Sequence, residues 1–148
     1  MDVEDVIRIS ASPEVVWAVT QDVERWPEWT PTITSVKRLD EGTFGLGSRA
    51  RLKQPGQAEA EWVVTEFEVG RRFAWQTRRP GLRMTATHEL SGEGDATTNT
   101  LRVEAEGVVA LLLWPVLSLV LRRALVQENR GLKAHCEAPA ATTSPGAA

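Results

Sequence analysis

Apolar and polar residues alternate from Val3 to Ser10, the period of a half-buried strand, and the spacing then turns helical at Ser12-Pro13-Glu14-Val15-Val16-Trp17. Ser12 is placed to cap a helix through its hydroxyl. Pro13 suits the first helical position, where no partner is needed for a backbone N–H, and Val15, Val16 and Val19 supply an apolar stripe. Asp22 can cap a second short helix through Val23-Glu24-Arg25-Trp26-Pro27-Glu28-Trp29. That helix must stop near Trp29, because Pro31 pushes its predecessor out of the α region and Pro27 already weakens the interior.

After Pro31 the period is two for roughly half the chain. Alternating runs cover 32–39, 48–54, 58–69, 73–77, 82–90 and 97–106, and between them lie Asp40-Glu41-Gly42, Pro55-Gly56, Gly70, Pro80-Gly81 and Gly92-Glu93-Gly94-Asp95. Short strands joined by turn residues predict an antiparallel meander. A long helical segment closes the chain from about Ala110 to about Glu137.

One strand, two small helices, about six strands and one long helix is an order that resembles the START-like superfamily, the helix-grip fold of the pollen-allergen and polyketide cyclase/dehydrase proteins. The resemblance covers about residues 3 to 137. It implies an α+β fold, with a curved antiparallel sheet of about seven strands wrapped around a long C-terminal helix. It also implies a cavity between sheet and helix.

Bulk properties narrow the function. At 148 residues the chain makes one domain, expected over 1–137, followed by a small-residue, Pro-containing tail at 138–148 expected to be disordered. Lys and Arg number 17 against 20 Asp and Glu, and no basic block interleaved with aromatics occurs, so nucleic acid is not an expected partner. The acidic N-terminus lacks a hydrophobic signal core, and Cys136 is the single cysteine. Both fit a reducing cytoplasm.

Strand alternation says what faces inward. Leu82, Met84, Ala86, His88 and Leu90 share one face of their strand, as do Ala60, Trp62 and Val64, then Phe73, Trp75 and Thr77, then Leu101, Val103 and Ala105. The opposite faces carry Glu59, Glu61, Arg72, Arg102, Glu104 and Glu106. Such rings either fill a core or line a hollow, and small Ala60, Ala86 and Ala105 leave room for the hollow. The candidate ligand wall is Trp62, Phe73, Trp75, Thr77, Met84, His88 and Val103 from the strands. Trp26 joins it from the second short helix, and Trp114, Leu117, Ser118 and Leu121 from the long one. Six Trp and no Tyr favour a flat or greasy ligand.

The long helix begins without an amphipathic pattern, since from Val108 to Leu121 only Ser118 is neither apolar nor Pro. The run is short for a membrane span and contains Pro115, which should start the regular helix or kink it. It can cap the core, close the pocket as a lid, contact a second subunit in a homodimer, or meet a lipid surface as a peripheral membrane contact. Arg78, Arg79, Arg122 and Arg123 either rim the opening or are ordinary solvated charges.

Phosphate loops, nucleophile elbows and paired-histidine helix motifs are missing, and with two histidines no metal or other cofactor is expected. Proteins similar to this one can cyclise a reactive chain mainly by folding it inside the cavity. His88 is the candidate acid–base group for such chemistry, because imidazole titrates near neutral pH. The expected function is binding of a small hydrophobic molecule such as a lipid, polyketide or aromatic metabolite, oriented by His88 and by Thr77 or Ser118. The alternative is a polyketide cyclase or dehydratase using the same cavity.

Overall fold

A computed structural model describes residues 1–139, so the part of the expected tail from residue 140 onward lies outside the described residues. Seven strands form one antiparallel sheet: β1 (Asp2–Ile9), β2 (Ser35–Arg38), β3 (Arg49–Lys53), β4 (Ala60–Glu68), β5 (Arg72–Arg79), β6 (Leu82–Glu93) and β7 (Ala96–Glu106). Their spatial order is β1-β7-β6-β5-β4-β3-β2. Helix α1 (Pro13–Gln21) and a 3₁₀ helix (Val23–Glu28) follow β1, and α2 (Val108–Glu137) closes the chain. This is the α+β helix-grip arrangement.

Residues from different strands meet in rows across the inner face. Val103 of β7 opposes Ala86 of β6, Ala86 opposes Trp75 of β5, and Trp75 opposes Val64 of β4. The next row runs from Leu101 through His88 and Phe73 to Phe67. Because inward residues alternate with Glu and Arg, one face is dry and the other wet.

Most of the core gathers at one end of this face, where Val16, Trp17, Val23 and Trp26 cover Phe73, Trp75 and Val64. Ser12 Oγ accepts from Val15 N–H at 3.3 Å, as its capping chemistry requires. Two details of the local reading need correction. Val15 points to solvent while Trp17 is buried, so the stripe is Val16, Trp17 and Thr20 with Val19 packed at its edge. Asp22 precedes the 3₁₀ helix but makes no side-chain cap, its carboxylate instead facing the Arg25 guanidinium at 3.9 Å.

Helix α2 is fastened at both ends and loose between. Gly107 precedes it at φ 111°, and a Cβ there would lie 2.4 Å from the Gly81 carbonyl oxygen, to which Val109 N–H donates at 2.9 Å. Toward the other end Asn129 is fully buried, donating to Asp5 Oδ2 at 2.8 Å and accepting from Asn99 Nδ2 at 2.7 Å. Lys133 Nζ donates to the Arg8 carbonyl, and Glu137 accepts from Ser10 N–H. Gly131 crosses the backbone so closely that a Cβ would sit 2.0 Å from Trp29 O.

Between these fastenings no residue from 111 to 124 is fully buried. Pro115 does not start the helix, which begins at Val108 and runs through it to Glu137. The N–H that proline lacks would serve the Leu111 carbonyl, and both positions are exposed, so water can take its place.

Candidate functional site

The hollow between α2 and the inner face is a cavity of about 470 Å³, well inside the range of small-molecule sites. Trp26, Trp62 and Trp75 form its floor at the core end. Met84, Ala86, Leu101 and Val103 line the sheet side, and Leu113, Val116, Leu117, Val120, Leu121 and Leu125 line the helix side. Ala86 and Ala124 keep the middle open, while Gln54, Gln57 and Arg79 stand among the lining residues as the polar margin.

Eight residues expected from the strand and helix patterns are in this wall: Trp26, Trp62, Trp75, Met84, His88, Val103, Leu117 and Leu121. Four expected ones are not. Phe73 lies behind His88, its ring stacked on the imidazole at 4.5 Å between centroids and 14° between planes, so it meets a ligand only through His88. Thr77 is buried on the inner face outside the hollow. Trp114 packs with Val3 and Leu101 beside the cavity. Ser118 Oγ donates to the Pro115 carbonyl, so its hydroxyl is occupied within the helix. A helix apolar on every side gives no periodicity from which to choose its inward face, and this is why two of the four helical choices miss.

The polar groups of the wall are few, and they differ in whether they have partners. Trp26 Nε1 is satisfied by the Thr20 carbonyl at 3.0 Å, whereas Trp62 Nε1 is buried with no acceptor among the described residues. His88 is gripped by Phe73 and by Trp26, whose ring centroid lies 5.1 Å away. Its Nδ1 faces Oε2 of Glu128 at 3.7 Å, too long for a direct hydrogen bond but close enough for one ligand oxygen beside the pair to bond both.

Burial pushes the His88 imidazole down to about 3 and the Glu128 carboxyl up to about 7. Near neutral pH the wall therefore presents a neutral imidazole, a weak base that can donate or accept a hydrogen bond, beside a carboxyl that titrates there and can give or take a proton. Sequence reading missed Glu128. The signal was available, because Glu128 follows Leu117, Leu121 and Leu125 at helical spacing on the same face. Thr32, Ile33, Gln54 and Gln57 also line the cavity, but they come from loops without periodicity. Among the described residues no group of three or more His, Cys, Asp or Glu is placed to hold a metal ion.

With the hollow and its polar pair in place, comparison with known proteins gives the family. The family model described as polyketide cyclase / dehydrase and lipid transport matches residues 1–137. The chain belongs to that family. No curated protein matches the sequence.

Among solved structures, the Zhui aromatase/cyclase from Streptomyces sp. R1128 is similar at 19% identity and TM-score 0.74, with 93% of each chain covered. A START superfamily protein from Mycobacterium smegmatis is similar at 17% identity and TM-score 0.72, covering 92% of this chain and 97% of the other. Norcoclaurine synthase from Thalictrum flavum, solved with dopamine and hydroxybenzaldehyde, is similar at 14% identity and TM-score 0.68, covering 90% of this chain and 84% of that one. At these identities the likeness establishes the shared helix-grip fold. Family membership and the open hollow together support ligand binding between sheet and C-terminal helix, and cyclase chemistry fits the same cavity.

Proposed function

We propose that this protein takes up one small hydrophobic molecule of the lipid, polyketide or aromatic-metabolite kind in the cavity beneath α2, and carries or senses it. The observation that carries this reading is an apolar hollow of about 470 Å³ whose polar groups Trp62 Nε1, His88 and Glu128 make no hydrogen bond among the described residues. Burying a ligand's apolar surface supplies about 25 cal/mol per Å². The Trp62 N–H and the His88–Glu128 pair then select a ligand with an acceptor at one point and a hydroxyl or carbonyl at another. A cytoplasmic setting belongs to this proposal, as do the two contacts open to the exposed start of α2, a second copy or a lipid surface.

One observation favours a second reading. A carboxyl that titrates near neutral pH beside a neutral imidazole suits a cyclisation or dehydration, the carboxyl protonating a departing hydroxyl and the carboxylate left behind taking the proton lost from carbon, while the imidazole holds the reacting oxygen. In that reaction the cavity also folds the chain that reacts. His88→Ala and Glu128→Gln separate the readings. A carrier keeps its ligand in both variants, whereas an enzyme keeps binding but loses turnover by about 100-fold or more. The carriage reading is overturned if purified protein converts its bound molecule and either substitution stops the conversion.

A further inference from the structure

The exposed first half of α2 is a surface in its own right. Leu112 is 72% exposed, Leu119 68% and Val116 66%, and Leu111 is also open to solvent. The helix is long and apolar enough by composition to cross a bilayer, with an 18-residue window of mean hydropathy 1.9 of which 11% is buried. It does not stand free to cross one in this fold, because Asn129, Lys133 and Glu137 bond its second half to β1 and the chain just after it. A helix so fastened can lie along a surface.

Charge identifies the surface. No Asp or Glu occurs from 107 to 127, while Arg122 and Arg123 follow the apolar stretch directly and make no ion pair among the described residues. At the other end the Arg78-Arg79-Pro80-Gly81 turn abuts Val108 and Val109, and among the described residues its two exposed arginines bond only to neutral oxygens. The apolar stretch is thus bracketed by uncompensated guanidinium pairs roughly 20 Å apart along the helix. Two copies paired through this face would trap both sets of arginines, and the carboxylate nearest Arg78 and Arg79, that of Glu106, is already held by Arg83 at 2.7 Å. Anionic headgroups neutralise them, and the long arginine stems reach such headgroups while the leucines sink among acyl chains.

We propose that residues 108–123 of α2, with Arg78 and Arg79, dock the protein on an anionic lipid surface. In that pose Leu113, Val116 and Val120, which line the cavity and are each more than half exposed, face the membrane, so the hollow opens toward the bilayer. The proposal does not depend on what the cavity holds.

Co-sedimentation with ligand-free vesicles tests it, using phosphatidylcholine alone and phosphatidylcholine mixed with phosphatidylglycerol. The protein should bind the mixed vesicles, bind the neutral ones weakly, and be released by high salt. Leu112→Ser with Leu119→Ser, and separately Arg122→Gln with Arg123→Gln, should each weaken binding about tenfold or more. None of these four lines the cavity, so ligand retention should stay unchanged and the two proposals fail separately. Absence of binding to the mixed vesicles overturns the docking, as does binding that neither variant alters. A dimer in sedimentation velocity that the leucine variant dissociates overturns it in favour of a second copy.

Discussion

Nδ1 of His88 on β6 and Oε2 of Glu128 on α2 lie 3.7 Å apart on one wall of the cavity, each held by its own element and neither hydrogen-bonded to the other. This relationship sets a polar pair from the sheet and the helix side by side on an apolar wall, and it makes stability depend on pH in a defined way.

The carboxyl of Glu128 is raised from 4.5 to about 7, so its contribution to stability is full below pH 4.5 and is lost as pH rises to 7. The imidazole of His88 is lowered from 6.5 to about 3, so its contribution is full above pH 6.5 and is lost as pH falls toward 3. Between 4.5 and 6.5 the two slopes oppose. Glu128→Gln removes the first, and between pH 4.5 and pH 8 the variant should gain about 3 kcal/mol relative to the parent. Urea unfolding at the two pH values measures the difference, and an equal offset at both would show that Glu128 ionises normally.

Trp62→Phe keeps an aromatic ring in the wall and deletes a donor that is buried with no acceptor among the described residues. Stability should fall by about 1–2 kcal/mol, since Trp62 is buried in the core and the smaller ring leaves a void. Affinity for a ligand carrying an acceptor should fall about three- to tenfold, as expected for one neutral hydrogen bond. Titration calorimetry with the co-purified ligand reads both the affinity and the lost enthalpy; an unchanged affinity would mean the indole N–H meets nothing.

Asn129→Ala should destabilise the fold by about 2–3 kcal/mol, since it leaves Asn99 Nδ2 and the Asp5 carboxylate inside without their partner. Asn99→Ala should add little on top of it, because both act through one network. Denaturant unfolding of the single and double variants gives the coupling directly, and full additivity would contradict a shared network.

Gly131→Ala should also destabilise, by about 1–3 kcal/mol, although alanine is the better helix former, because the new Cβ meets Trp29 O at 2.0 Å. A variant of equal or higher melting temperature would show that α2 does not press on the 3₁₀ segment.

The sheet was legible in the sequence because each strand carries its own period-two pattern and ends at a turn residue. Even the inward set Trp62, Trp75, Met84 and His88 could be read that way. Strand β6 runs past its expected end at Leu90 because Gly92 and Glu93 still pair with Thr97 and Ala96 around Gly94-Asp95. The helix side was harder. Apolar residues on every side of 108–121 left Trp114 and Ser118 indistinguishable from Leu117 and Leu121, and Glu128 emerges only once the inward face is fixed. How far α2 stands from the sheet is set by long-range fastenings at Gly107, Asn129 and Gly131, which no local pattern announces.

Native mass spectrometry of the protein purified from its source cells, beside an Ala86→Phe variant that fills the hollow, tests the central claim most directly. The parent should fly with one small hydrophobic molecule bound and the variant without it. A parent that emerges bare, or a variant that carries the same molecule equally well, would contradict a ligand cavity beneath α2.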